Sequence, residues 1–224
     1  ALAQAGADVC GAARRESVNA RKKDEAAGRR FTEVRLDFSE AGPVDSVIER
    51  CAEAFRRVDI RVNNAGTIRR ADAIDFTEAD WDAVMNTNLK SLFFLSQRAA
   101  KEFIPRGGGK IINIASMLSF QGGVRVSSYT ASKSGVMGLT RLMANEWAKH
   151  NINANAIAPG YMATDNTKAL REDPERNAQI LGRIPAGRWG NPEDLAGAAV
   201  FLASAASDYM NGFTVAVDGG WLAR

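Results

Sequence analysis

Short apolar runs alternate with longer helix-period segments along all 224 residues, and this alternation limits the fold more than any other feature. The strand-like runs are Ala7 to Ala13, Phe31 to Leu36, "VDIRVN" (58–63), "KIINIAS" (110–116), "NINANAIA" (151–158) and "FTVAVD" (213–218). A helix over Pro43 to Arg57 sets Val44, Val47, Ile48, Cys51 and Phe55 on one face. A second opens at Thr77, with Asp80 completing a capping-box-like start. A third, over 128–149, carries Val136, Leu139, Met143 and Trp147 as its buried stripe. Residues 1–6 read as a last helical turn ending at Gly6. Strands separated by helices pair in parallel, because a parallel return needs a crossover. The expectation is α/β, a doubly wound parallel sheet in one domain over 1–224, with no repeat or linker dividing it.

Charge and cysteine content exclude several function classes. The net charge is +3, and the excess lies early: residues 1–35 hold eight Lys or Arg against five Asp or Glu, and the remainder is balanced. So small an excess argues for neither nucleic acid nor a membrane as partner. No apolar run approaches the roughly 20 residues that span a bilayer. The two cysteines, Cys10 and Cys51, do not make a disulfide framework, so a reduced, cytoplasmic setting is the default expectation. The chain opens on Ala1 with no leader pattern. His150, the one histidine, reads as a helix-end cation, and no metal is expected.

In a doubly wound sheet, ligands lie beyond the carboxyl ends of the strands. The polar and glycine-rich signals fall there: "NNAG" (63–66), Ser116, and "PGYMAT" (159–164). Tyr129 and Lys133, four positions apart in "SSYTASKSG", share one face of a helix. A free phenol, with a pKa near 10, is a poor base at neutral pH, and a neighbouring ammonium favours its ionised form. The expectation is that Lys133 lowers the Tyr129 pKa. Taken singly, Ser116 reads as a strand-end cap, Asn88 as filling a helix break and Tyr129 as a core phenol.

The ordered set "NNAG", "NTNL", "IINIAS", "YTASK" and "APGYMAT" resembles the short-chain dehydrogenase/reductase family, over essentially the whole chain to "VDGG" at 217–220. The resemblance implies a Rossmann-like fold and hydride transfer with NAD(H) or NADP(H). It implies Tyr129 as proton donor or acceptor, Ser116 holding the substrate oxygen, Lys133 on the nicotinamide ribose as well, and Asn88 anchoring a relay water. It also implies cofactor contacts at Asp37, the Phe38 backbone, Asn64, Gly66, Pro159, Gly160, Met162 and Thr164. Arg14 follows Ala13 where an NAD-selecting acid would stand, which leans toward NADP(H). Longer segments look closest to the 2-deoxy-D-gluconate 3-dehydrogenase (2-dehydro-3-deoxy-D-gluconate 5-dehydrogenase) branch, whose usual coenzyme is NAD(H). That branch implies a sugar-acid substrate such as 2-dehydro-3-deoxy-D-gluconate or 2-deoxy-D-gluconate. Arg69, Arg70 and Arg125 are candidates for its carboxylate, with Arg125 preferred. Residues 165–190 would form a mobile lid, with Arg188 and Trp189 at its end. Relatives are usually homotetramers.

Two features depart from the family pattern. Its first strand and its Thr-Gly-x-x-x-Gly-x-Gly phosphate turn are absent, so the domain reads as N-terminally incomplete by roughly 25 to 30 residues, with a gap in the sheet. This fits either an incomplete sequence or a truncated product. Arg61 stands inside a strand that should be apolar on both faces. The alternatives are a reductase of another carbonyl, such as a 3-oxoacyl thioester, and a non-catalytic dinucleotide-binding or structural subunit.

Overall fold

The computed structural model describes residues 1–38 and 44–224. Six strands and eight α-helices follow in chain order: β1 (Val9–Ala13), α1 (Val18–Ala26), β2 (Phe31–Arg35), α2 (Val44–Phe55), β3 (Ile60–Asn63), α3 (Glu78–Met85) and α4 (Ser91–Phe103). After these come β4 (Gly109–Ile114), α5 (Ser127–Trp147), β5 (Ile152–Pro159), α6 (Lys168–Glu172), α7 (Pro174–Arg183), α8 (Ala196–Ala203) and β6 (Thr214–Val217). Each strand-like run of the sequence is a strand here, with ends that differ from the expected ones by at most two residues. The expected helix start at Pro43 lies outside the described residues. Thr77 caps α3, its hydroxyl accepting from the Asp80 N–H, as its spacing predicts.

All pairing is parallel, in two pieces: β1 with β2, and the order β3-β4-β5-β6. Among the described residues β1 and β3 do not pair with each other. Helices α4 and α5 cover one face of the larger sheet, where Leu92, Ala99 and Phe103 meet Ile111, Ala154, Val136 and Met143. Helix α8 covers the other, with Leu202 against Ile112 and Ile157. A separate apolar cluster holds β1–β2 on α2 and α4, through Val34, Leu36, Phe38, Val47, Cys51 and Leu95. Inside it Cys10 and Cys51 are joined as a disulfide, their Cα atoms 5.8 Å apart. This corrects the reading of two unconnected thiols: 41 positions separate them in sequence, and only the packing of β1 on α2 brings them together.

Arg61 is partly exposed and has no acid partner among the described residues. Its Nε donates to Asn63 Oδ1 at 2.8 Å, and burial draws its pKa down to about 10. Asn63 passes the bonding on, its Nδ2 donating to Ser96 Oγ and Asn113 Oδ1, each at 2.8 Å. Asn113 in turn donates to Thr140 Oγ1. This buried network ties β3 and β4 to α4 and α5 beneath the strand ends, each amide satisfied in a region where an unmet donor would cost about 1–3 kcal/mol.

Candidate active site

The site is built on the carboxyl ends of β3, β4 and β5 and the first turns of α5. Ser116 leaves β4 and caps the short turn Met117–Ser119: its Oγ accepts from Leu118 N, and Ser119 Oγ accepts from Ser116 N. Ser119 Oγ also donates to Lys133 O at 2.6 Å, fastening this turn to α5. The capping role weighed for Ser116 is therefore present, and it orients the hydroxyl toward Tyr129 without consuming its proton.

Helix periodicity places Lys133 one turn beyond Tyr129, its ammonium 5.7 Å from the centre of the phenol ring. Lys133 is 4 % exposed, and its Nζ donates to Ile114 O at 2.5 Å. Burial draws its pKa down to about 8. The Tyr129 phenol moves the other way: burial raises its pKa, opposed by the Ser116 hydroxyl and the Arg70 guanidinium. The expectation that Lys133 lowers the Tyr129 pKa is not met by the polypeptide alone. Desolvation disfavours both charged forms, and the ammonium faces the ring and a backbone carbonyl.

Asn88 is buried in a π-helical turn, Asn86–Lys90, between α3 and α4. Such turns are rare and recur at functional sites. Its Oδ1 accepts from Thr67 N at 2.8 Å, and its Nδ2 donates to Thr67 O and to Ser132 Oγ. Ser132 Oγ then donates to Tyr129 O. Asn88 thereby holds the loop after β3 against the turn of α5 that carries Tyr129. A Cβ on Gly66 would lie 3.6 Å from Asn88 Oδ1 and 3.9 Å from Lys133 Nζ, so this backbone runs beside both. Asn64, its neighbour in "NNAG", is exposed at the same strand end.

The cofactor candidates fall into two groups. Arg14 and Asp37, at the ends of β1 and β2, meet as an exposed ion pair, Nη1 to Oδ2 at 3.5 Å. The Phe38 side chain is core, leaving its backbone at the strand end. Pro159 ends β5, and Gly160, Met162 and Thr164 follow it. Gly160 is required by packing, since a Cβ there would stand 2.5 Å from Asp218 Cα. Met162 bridges to Gly190. Thr164 N donates to Thr167 Oγ1, and Thr164 O accepts from Arg171.

The three candidate carboxylate receptors separate clearly. Arg125 is paired with Asp72 and Arg69 with Asp80, each at 3.1 Å. Arg70 has no carboxylate partner among the described residues; its Nη2 donates to Asn166 O, and its charge is felt at the Tyr129 phenol. The preference for Arg125 had no sequence signal against it, because the acid that neutralises it stands 53 positions earlier. At the lid end, Arg188 is clamped by Asp194 through two bonds, and Trp189 Nε1 donates to Asn177 Oδ1. Sequence reasoning also missed Ser119, Ser132 and Thr67; Ser119, three residues after Ser116, was legible as the far end of a capping box.

A nicotinamide dinucleotide fits these residues. An ammonium carries three donors. The one Lys133 bond within the protein leaves two for the paired hydroxyls of a ribose. Among the described residues, no group of three or more His, Cys, Asp or Glu side chains could hold a metal. None of the described helices is long and apolar enough to cross a membrane.

A family model described as enoyl-(acyl carrier protein) reductase matches residues 1–222. The chain belongs to the short-chain dehydrogenase/reductase family. It is similar to 2-dehydro-3-deoxy-D-gluconate 5-dehydrogenase of Escherichia coli, 64 % identical over all of this chain and 88 % of the relative. It is 55 % identical to the Bacillus subtilis enzyme of the same name, again over all of this chain and 88 % of the relative. Among solved structures, a gluconate 5-dehydrogenase from Burkholderia cenocepacia in complex with NADP and tartrate superposes with a TM-score of 0.94 at 40 % identity, over 100 % of this chain and 88 % of that one. The doubly wound α/β class is thus met, and this member of the family is an NAD(P)-dependent oxidoreductase.

Proposed function

We propose that the protein transfers a hydride between NAD(H) or NADP(H) and one secondary alcohol or ketone of a small sugar acid, such as 2-dehydro-3-deoxy-D-gluconate or 2-deoxy-D-gluconate. The observation that carries this reading is the corner where Ser116, Tyr129 and Lys133 meet with Arg70 uncompensated beside the phenol. The names of the similar dehydrogenases support the substrate class.

The coenzyme supplies or accepts the hydride. The chain's own residues do the rest. Ser116 Oγ orients the substrate oxygen, and Tyr129 Oη gives that oxygen its proton in reduction or takes it in oxidation. Burial keeps the phenol protonated at neutral pH, which suits it to giving the proton. Lys133 holds the nicotinamide ribose with the donors it does not spend on Ile114 O. Asn88 fixes the loop that closes the site and stands where a relay water would be anchored. Arg70 receives the carboxylate, a charge-assisted bond that a neutral thioester would not use.

On the adenosine side, Asp37 and the Phe38 backbone meet the adenine, with Asn64 and Gly66 beside them, and residues 159–164 meet the carboxamide. Arg14 is the cation at hand for a 2′-phosphate, which favours NADP(H); the NADP held by the B. cenocepacia relative supports this. The unpaired edges of β1 and β3 support a further strand, with its glycine-rich turn, as part of the complete domain.

Apolar side chains left on two faces support a homotetramer: Trp81, Phe94 and Leu142 on α3 to α5, and Phe120 and Phe213 beside the free edge of β6. The coenzyme requirement supports a cytoplasmic location.

Turnover of 2-dehydro-3-deoxy-D-gluconate and of a 3-oxoacyl thioester, followed at the reduced-nicotinamide absorbance band, tests the substrate assignment. Faster turnover of the sugar acid is expected; preference for the thioester rejects it. Coenzyme binding without turnover of either would favour the non-catalytic alternative.

A further inference from the structure

We propose that Ser119 is a positioning residue of the active site: its one hydroxyl, bonded to the backbone of both Ser116 and Lys133, holds the Ser116 hydroxyl in place against the Tyr129 phenol. The inference rests on reading Tyr129 as the group that moves the proton, and deepens it by naming what keeps the phenol and its neighbouring hydroxyl in register.

A serine hydroxyl has one proton to give and two lone pairs. Ser119 Oγ gives its proton to Lys133 O at 2.6 Å and accepts from Ser116 N at 3.3 Å. A single oxygen therefore spans from the end of β4 to the second turn of α5 and joins the two residues that flank the phenol. Ser119 is 7 % exposed, so both bonds are made inside the protein and out of reach of bulk water.

Ser116 is gripped at two points as a result. Its N–H is held by Ser119, and its Oγ accepts from Leu118 N at 3.2 Å, which restricts the side-chain rotamer. Both partners lie in the turn Met117–Ser119, so whatever fastens this turn to α5 fastens the Ser116 hydroxyl too. A second polar tie from the turn to α5, Ser134 Oγ to Leu118 O, is exposed and 3.4 Å long. On its other side the turn is held by Met117 packing with Ile180, Ile184 and Trp221, a non-directional contact that does not fix register. Ser119 makes the short, buried bond of the set.

The consequence falls on proton transfer. The Ser116 hydroxyl lowers the Tyr129 pKa against the rise that burial imposes, so its placement decides where the phenol ionises. The charged groups that face the phenol are Lys133 from the same helix and Arg70 from the loop after β3. Ser119 bonds to the Lys133 carbonyl and not to its ammonium, which stays on Ile114 O, so deleting the Ser119 hydroxyl leaves both charges in place. Released from α5, the turn lets Ser116 drift from the phenol. The Tyr129 pKa then rises further, and the hydroxyl that orients the substrate oxygen is misplaced with it.

The test is a double-mutant cycle of Ser116→Ala and Ser119→Ala in the purified protein. Its readouts are oxidation of 2-dehydro-3-deoxy-D-gluconate with NADP⁺ across pH, NADPH affinity and amide exchange. Ser119→Ala should lower kcat about 10- to 100-fold, with NADPH affinity unchanged and faster exchange across residues 115–120. The limb of kcat that rises with pH should move to higher pH, because a phenol that is harder to ionise takes the proton later. Added to Ser116→Ala, the substitution should cost nothing further in kcat. Ser119→Thr, which keeps the hydroxyl, should retain the wild-type limb. Losses that multiply in the double variant overturn the proposal. A Ser119→Ala protein that loses its fold, or whose kcat falls without any movement of the limb, makes Ser119 a structural residue and overturns it too. Absence of turnover by the wild type counts against the proposed oxidoreductase function and takes this inference with it, whereas an active wild type that is indifferent to Ser119→Ala strikes the inference alone.

Discussion

The β3–β6 sheet and the β1–β2 pair hold their functional residues in different ways. In the larger sheet, Asn88, Ser116, Tyr129 and Lys133 are fixed by buried bonds to backbone and to one another, above a satisfied network of Asn63, Ser96, Asn113 and Thr140. In the smaller pair, Arg14 and Asp37 meet on the surface at 3.5 Å, above an apolar cluster shared with α2 and α4. The proposed chemistry sits where geometry is over-determined. The proposed coenzyme selection sits where a single exposed cation can be changed at little expense to the fold.

That contrast is sharpened first by Tyr129→Phe. Removing the hydroxyl proposed to move the proton should lower kcat about 10²- to 10⁴-fold while leaving NADPH affinity and Tm close to wild type. Unchanged turnover would mean that another group moves the proton. Asn113→Ala should destabilise the fold by about 1–3 kcal/mol, read from denaturant midpoints, because it leaves one N–H of the Asn63 amide without its acceptor and removes the donor to Thr140 Oγ1, while Asn63 keeps Ser96 and Thr140 keeps Val136 O. A loss under ~0.5 kcal/mol would show the network to be incidental.

Arg70→Ala should raise KM for the sugar acid by about 10- to 100-fold, the size of a charge-assisted hydrogen bond, whereas Arg125→Ala should change it little. The reverse order would return the carboxylate to Arg125. Arg14→Ala is the smallest structural perturbation: less than about 1 kcal/mol in stability, as befits an exposed pair, with a drop in the NADP(H)-over-NAD(H) ratio of kcat/KM.

The pH dependence of stability probes the buried half alone. The Lys133 pKa falls from 10.5 to about 8 on folding, so between these values the unfolded chain binds more protons. Stability should therefore rise with pH across about 8 to 10, the penalty being fully present below 8. The same measurement on Lys133→Met should be flatter; parallel curves would show that Lys133 is not the titrating group.

Much of this half was legible beforehand because its signals are local. Thr77 and Asp80 predicted a cap that formed, and the four-residue step from Tyr129 to Lys133 predicted a shared face that exists. The strand-like runs became parallel strands because a parallel ladder buried on both faces leaves a continuous apolar signature. Less legible were the surroundings that distant neighbours supply. Arg125 looked as available as Arg70 until Asp72 was seen beside it. The phenol looked easy to ionise until its desolvation was weighed against a lysine directed at Ile114 O.

The order of elements and the parallel pairing follow from the sequence itself, since periodicity encodes them, and the candidate proton-moving residues come from the resemblance carried by its ordered motifs. Which of the three candidate arginines lacks a carboxylate partner among the described residues, how Cys10 meets Cys51 and in which direction Tyr129 shifts were decided only by the tertiary structure. Each depends on burial and on contacts between segments tens of residues apart, and local composition carries no record of those.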